Sequence, residues 1–355
     1  MSTPEYQILD LLGAGAYGSV YLGRRVDLGD ESPLLAIKIV RLPTKKADAD
    51  KQVALLDNEI MAVRALSALP DCSNYVACYI DHFRAKWEDL DSYFIVQKYI
   101  QGPSLDKIIE RTTEPIHIDK LWDMFISLVQ GLYYIHSRGF AHKDIKPANI
   151  VYDELTDSFV YIDFGFGCSK FIPCQPGLGT LNYMPVESFS DDSSIQRALK
   201  VAQSGDIWSL GIVLYQLANL SRPYQDPVFN TVAADNKRSS SYTGNASDLY
   251  LPRSVDFIVN WMMSTVWYDR PTVSILLQYL EEDKLGCTID GQIYHRPQLL
   301  ASLDPIYEYQ APLKMGRFSV APKRYKGYNQ NDFLSSLCRY YYSKLYTTST
   351  RRVIV

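Results

Sequence analysis

The first 45 residues alternate apolar and polar positions around glycine and proline breaks, the period-two pattern of antiparallel strands. Between 46 and 68 the period changes, and Ala54, Leu55, Ile60, Val63 and Leu66 recur at helical spacing. Strand character returns at Tyr75–Phe83 and at Tyr93–Ile100, where YFIVQKYI is dense in β-branched and aromatic side chains. From Ile118 one apolar stripe runs through Leu121, Phe125, Leu128, Leu132 and Ile135, with Asp119 near its start as a cap. Further helices are expected at Asp206–Asn219, Val255–Met263 and Val273–Glu282, while 230–250 is polar and reads as a surface loop. The pattern predicts an α+β protein without internal repeats: a mainly β lobe with one helix over 1–100 and a mainly helical lobe over 105–285.

Composition sharpens this picture in three places. With 47% apolar residues in 355, the chain can bury one large core or two moderate ones, which excludes global disorder. No apolar run reaches the roughly 18 residues of a membrane span, and MSTPEYQILD lacks the basic-then-apolar start of a secretory signal. The protein is therefore expected to be cytoplasmic or nuclear. Six scattered cysteines (Cys72, Cys78, Cys168, Cys174, Cys287 and Cys338) form no CxxC pair and are expected to be reduced thiols. The net charge of −4 hides an asymmetry, because residues 310–355 carry nine Lys/Arg against the single acid Asp332, a +8 tail on a −12 body.

Candidate chemistry begins at Gly13-Ala14-Gly15-Ala16-Tyr17-Gly18-Ser19-Val20, a GxGxxGxV element whose glycines let backbone N–H groups approach phosphate oxygens. A lone GxGxxG is common in ordinary turns, but the strand-like Val20-Tyr21-Leu22 that follows favours a strand–loop–strand cover over a nucleotide. Leu35-Ala36-Ile37-Lys38 then ends a strand on a lysine, and Glu59 in the following helix could hold its ammonium against phosphates. Ala141-His142-Lys143-Asp144-Ile145-Lys146-Pro147-Ala148-Asn149 is followed by Asp163-Phe164-Gly165. Asp144, Asn149, Asp163 and Lys146 are the residue types that phosphoryl transfer needs: a carboxylate for the attacking hydroxyl, oxygen ligands for a divalent cation, and a positive charge for the moving group.

From Gly13 to Arg270 the chain resembles the eukaryotic-type protein kinases, with the serine/threonine-directed pattern and no assigned subgroup. The resemblance implies a bilobal fold over 1–285, with a small β lobe to about 100, a hinge at 98–102, a helical lobe over 103–285 and a separate basic, Tyr-rich extension over 286–355. ATP with Mg²⁺, or Mn²⁺ in its place, and protein substrates are implied with it. Lys38 resembles the lysine that grips the α- and β-phosphates and Glu59 its helix partner. Asp144 resembles the catalytic carboxylate, Asn149 and Asp163 the metal ligands, and Lys146 the lysine that steadies the γ-phosphate. His142 and Phe164 resemble the internal stack of an assembled site, and Asp206 the helix carboxylate that braces the catalytic loop. Thr180 in Gly179-Thr180-Leu181-Asn182-Tyr183 resembles the substrate-docking threonine, and Glu187 and Arg270 a buried ion pair. Adenine is expected between Val20 and Ala36 above and Val151 below, with Gln97 as gatekeeper and the backbones of Lys98 and Ile100 pairing with it ahead of Gly102.

Two departures stand out. Lys143 precedes Asp144 where regulated relatives of this kind carry arginine, and a lysine offers phosphate a point charge and no bidentate grip; activity without phosphorylation of the activation segment, which the resemblance places from Asp163 to Glu187, is the expectation. The stretch between Glu187 and Asp206 is longer than usual and reads as a solvated loop beside the substrate cleft. Cys168 and Cys174 read as ordinary thiols. The tail, with Tyr340-Tyr341-Tyr342 among its basic residues, is expected to pack on the acidic body or to stay mobile, in preference to binding nucleic acid or another polyanion, and the protein is expected to be a monomer. Two rival readings are a catalytically dead kinase-like scaffold and a small-molecule kinase.

Overall fold

The computed structural model describes residues 5–15, 18–68, 72–190, 192–220 and 253–285, with two short strands at Cys287–Ile289 and Gln292–Tyr294. The expectations for Ala16, Tyr17, the 230–250 segment and the basic extension from 295 onward lie outside the described residues. Five antiparallel strands form the first lobe in the order β1-β2-β3-β5-β4: β1 Tyr6–Gly15, β2 Gly18–Arg25, β3 Leu35–Arg41, β4 Tyr79–Trp87 and β5 Leu90–Lys98. Alternation along β3 sends Leu35, Ile37 and Ile39 into an apolar layer with Phe94 and Val96, while Val40 and Ile95 turn to the other face. That second face is covered by α1, Lys46–Leu66.

Helix α1 carries Asp48 in its first turn and Arg64 in its last, charges matched to the helix dipole. Its buried face is Leu56, Glu59, Ile60, Ala62, Val63 and Leu66, whereas Leu55 is exposed. The helical period was legible in the sequence, but the face sits one residue further round, which places a carboxylate, Glu59, on the apolar stripe.

The second lobe is helical: α2 Leu105–Arg111, α3 Ile118–Ser137, α4 Ser193–Gln196, α5 Leu199–Asn219, α6 Arg253–Met262 and α7 Val273–Leu285. All five residues of the expected α3 stripe are buried to 2% exposure or less. Asp119, however, sits inside the first turn; His117 occupies the cap position and makes no side-chain capping bond. Helix α5 buries residues around its whole circumference, so it forms the axis of the lobe. It begins at Leu199, with Val201 and Ala202 buried, so the expected solvated loop before Asp206 is helical over its second half. Its apolar spacing merges into the following run, which hid the boundary.

Between the helices lie two short strand pairs. β6 Phe140–Ala141 pairs with β9 Cys168–Ser169, and β7 Ile150–Asp153 pairs with β8 Ser158–Tyr161. Gly131 on α3 faces the Tyr161 ring, and a Cβ there would lie 2.7 Å from Cε2. Tyr161 is fully buried and donates its hydroxyl to the Leu128 carbonyl at 2.8 Å, so the ring cannot withdraw. A Gly131→Val variant is expected to lose about 1–3 kcal/mol by overpacking; an unchanged chemical-denaturation midpoint would contradict this contact.

Candidate active site

The two glycine-flanked ends of β1 and β2 pair as Gly15 with Gly18, forming a hairpin over the sheet edge. Gly18 has φ +134°, and a Cβ there would meet the Ile39 carbonyl oxygen at 2.5 Å, so only glycine fits. At Gly13 and Gly15 a Cβ would meet nothing within 4 Å, which leaves open space beside the backbone of the loop. Lys38 on β3 is paired in register with Val20 on β2 and Ile95 on β5. Its ammonium lies 2.8 and 2.9 Å from the two Glu59 carboxylate oxygens and 2.9 Å from Asp163 Oδ1.

Burial disfavours the Lys38 ammonium, but the facing Glu59 and Asp163 carboxylates outweigh it and hold the pKa above the ordinary lysine value. Glu59, whose side chain is 4% exposed, is pushed up by burial and by Asp163, against the pull of Lys38. Asp163, with 39% of its side chain exposed, moves the other way: burial raises it, but the Lys38 charge and hydrogen bond hold it below the usual range. Asp163 has φ 61°, a left-handed backbone that a non-glycine residue adopts only when its surroundings hold it there.

Those surroundings are the packing of Phe164, 1% exposed, against His142 at 4.6 Å between ring centroids. His142 is itself fully buried, donates from Nε2 to the Ile162 carbonyl at 3.0 Å and accepts at Nδ1 from the Asp144 N–H at 3.3 Å. Both nitrogens are committed, so the imidazole is a structural member and not a base. Asp206 on α5 accepts the backbone N–H groups of His142 and Lys143, each at 2.8 Å. A partner not expected from sequence, the buried His136 on α3, places Nε2 at 2.9 Å from the same carboxylate. Its offset from the catalytic loop was the only available signal.

Four donors converge on Asp144. Thr180 reaches Oδ1 through its N–H at 2.8 Å and its hydroxyl at 2.6 Å, while Lys146 and Asn149 reach Oδ2 at 2.8 and 2.9 Å. Lys146 also donates to Thr180 Oγ1 at 2.7 Å, so Thr180, Lys146 and Asp144 form one network. Asn149 Nδ2 is spent on Asp144, whose backbone carbonyl it also meets at 2.9 Å, which leaves its amide oxygen as the end suited to a cation. The Asn149 amide oxygen and the Asp163 carboxylate are hard oxygen donors of the type that suits a small divalent cation. Among the described residues no group of three His, Cys, Asp or Glu could hold a metal on its own, so an ion here needs phosphate oxygens and water to complete its shell.

The hinge runs from β5 into α2. Ala36 pairs with Gln97 and Leu35 with Lys98, while Gln97 Nε2 donates to the Ala77 carbonyl at 2.9 Å. Ser104 bridges to Val151, and the Tyr152 and Glu154 N–H groups bond the Pro103 and Gln101 carbonyls at 3.0 Å each, which stitches the hinge to β7. Val151 and Ile100 pack in one apolar cluster with Ala77 and Val160. Of the expected adenine-lining residues, Ala36 and Val151 thus lie beside the hinge, while Val20 lies on β2 opposite Lys38.

The expectation of free thiols is overturned for four of the six cysteines. Disulfides join Cys72 to Cys78, between α1 and β4, and Cys168 to Cys174, with Cα atoms 5.7 and 4.9 Å apart. Each pair is six residues apart, a spacing without a recognisable motif, and the intervening turn brings the ends together. Lys143 departs too. Its φ is 65° and its ammonium donates to the Gln175 carbonyl, while burial, offset only in part by Asp206, pushes its pKa down to about 8.

A family model, "Protein kinase domain", matches residues 6–280. This chain belongs to the protein kinase family. Among similar proteins, "Probable serine/threonine-protein kinase iksA" of Dictyostelium discoideum is 26% identical over 316 residues, 75% of this chain and 30% of its own length. "Mitogen-activated protein kinase kinase kinase kinase 3" of Homo sapiens is 30% identical over 229 residues, and "Serine/threonine-protein kinase Nek10" of Homo sapiens 29% over 231, each covering 62% of this chain. This kinase therefore spans under a third of the length of these three relatives. Among its described residues, no helix is long and apolar enough to cross a membrane.

Glu187 and Arg270 meet as a bidentate pair, with Nη1 and Nη2 each 2.7 Å from a carboxylate oxygen and side chains 8% and 0% exposed. The pair ties the end of the activation segment to the loop before α7. Removing one side leaves a buried charge, so Arg270→Met is expected to cost about 3–5 kcal/mol, most of it recovered by adding Glu187→Met. Urea denaturation of both variants tests this; equal losses would contradict it.

Proposed function

We propose that this kinase transfers the γ-phosphate of ATP, taken as its Mg²⁺ complex, to serine and threonine hydroxyls of proteins. The observation that carries the reading is the network on Asp144, in which Thr180 and Lys146 close around one carboxylate. Lys38, fixed by Glu59, is the group to meet the α- and β-phosphates, and the open backbone at Gly13 and Gly15 is the cover for them. Gly18 closes the phosphate loop, Val20 and Ala36 lie above adenine and Val151 below it, with the backbones of Lys98 and Ile100 reading its edge. Asn149 and Asp163 hold the cation, which offsets charge on the phosphates when bound.

Asp144 then orients the incoming hydroxyl and takes its proton as the new oxygen–phosphorus bond forms and the bond to the β-phosphate oxygen breaks. Lys146 offsets the charge of the moving group from the side of the acceptor. Thr180 positions the acceptor segment, and the Lys146–Thr180 contact favours serine and threonine over tyrosine. A dead scaffold is disfavoured because every group that this chemistry needs is retained, in two bonded clusters around Lys38 and around Asp144; a small-molecule kinase is disfavoured by the Gly179-Thr180 segment closing on Asp144. The catalytic unit is taken as 1–285, with 286–355 as an extension of separate role.

With radiolabelled ATP and casein or histone, the wild-type protein is expected to produce phosphoserine and phosphothreonine. Asp144→Asn should lower turnover by on the order of 10²–10⁴ while MgATP still raises its melting temperature. Label confined to tyrosine, or an Asp144→Asn rate equal to wild type, would overturn the assignment. Phosphatase treatment is expected to leave turnover intact, and its abolition would show that Lys143 does serve a phosphorylated segment.

A further inference from the structure

Between Asp163 and Gly179 the only hydroxyl side chain is Ser169, and no tyrosine is present. Ser169 is 6% exposed, and its Oγ accepts the N–H groups of Phe171 and Ile172 at 3.1 and 3.2 Å. A phosphate that would order this segment by pairing with a cation has no free attachment point here. The neighbouring cation is spent as well, since the Lys143 ammonium is held by the Gln175 carbonyl.

A covalent link stands in the same place. Cys168 pairs in β9 with Ala141 of β6, the residue directly before His142. Cys174 directly precedes Gln175, the residue that takes the Lys143 ammonium. The two half-cystines, 0% and 3% exposed, pack with Ala141 and with Ala202 of α5. One end of the disulfide is therefore anchored to the strand that leads into the catalytic loop, and the other to the stretch that carries Thr180 to Asp144. Opening it would remove the one covalent tie and leave Gln175–Thr180 held by hydrogen bonds alone: Lys143 to Gln175, Gly177 to Gln196 and Thr180 to Asp144.

We propose that Cys168–Cys174 is a thiol-reversible modification site that sets turnover: the disulfide form holds Gln175–Thr180 over Asp144, and a dithiol reductant releases it. In the exchange, one thiolate of the dithiol attacks a cystine sulfur and the Cys168–Cys174 bond breaks, its electron pair leaving on the other sulfur. The second thiolate closes the dithiol into its own disulfide; the two electrons and two protons end on the Cys168 and Cys174 thiols. Because both sulfurs are buried, attack requires the exposed tip around Phe171, 73% exposed, to open first. In reducing compartments disulfides are transient and regulatory, which suits such a role. The inference rests on the kinase reading above.

The test uses the full chain in a Cys72→Ala, Cys78→Ala background, so that dithiothreitol acts on one described disulfide. Casein phosphorylation is measured before reduction, after reduction, and after reoxidation, with thiol labelling and peptide mass spectrometry to assign the bond. Reduction is expected to lower turnover on the order of tenfold, within the range of coupling carried by a single two-state element, and reoxidation to restore it. Hydrogen exchange over 169–180 should quicken on reduction, also in an Asp144→Asn protein. Adding Cys168→Ala and Cys174→Ala should reproduce the reduced rate and abolish the response to reductant. Equal turnover in oxidised and reduced protein, or free thiols at 168 and 174 before reduction, overturns the inference while the kinase reading stands. Absence of turnover in both states defeats the kinase reading and this inference with it.

Discussion

One buried ammonium holds the two lobes in a common geometry. Lys38 comes from the sheet and Glu59 from the helix that covers it, while Asp163 comes from a loop between β8 and β9 of the other lobe. An ammonium taken out of water is costly unless it is paired, and here two carboxylates share it. The arrangement favours α1 turned inward and the Asp163 carboxylate turned toward the lysine. A triphosphate, with charge of its own to offer, is the natural third party to that cluster.

The rest of the site is built so that Asp163 and Asp144 can stay where the cluster needs them. Asp206 satisfies the backbone of the loop at His142 and Lys143 from inside α5, a helix packed around its whole circumference. His142 links that loop to Phe164 through ring contact and to Ile162 through a hydrogen bond, so the two left-handed residues Lys143 and Asp163 are braced together. Glu187 and Arg270 fix the far end of the activation segment. Fixed dipoles and charges in a partly dry cleft are what catalysis of phosphoryl transfer requires of a protein.

Period and motif made most of this legible. The α3 stripe could be read because five large apolar residues repeat without interruption, and the catalytic residues because their types and order leave few other chemistries. What escaped was of a different kind. The face of α1 was read through Leu55 because apolar spacing alone leaves Glu59 out of the buried stripe, although its pairing with Lys38 was expected from the motifs. The start of α5 was missed because a helix that is apolar all round has no stripe to reveal its phase. The disulfides were missed because a six-residue spacing carries no signal until a turn folds it, and His136 because its partner lies on another helix. Local pattern carries elements; long-range pairing of charges and sulfurs does not show in it.

The central claim is that Lys38, Asn149 and Asp163 share one nucleotide–metal complex in front of Asp144. A crystal structure with a non-hydrolysable ATP analogue and Mn²⁺, located by its anomalous signal, tests it most directly. The account predicts manganese bound by Asp163 and the Asn149 amide oxygen, with Lys38 on the α- and β-phosphates. Manganese seated away from both ligands, or a nucleotide whose phosphates do not reach Lys38, would contradict it.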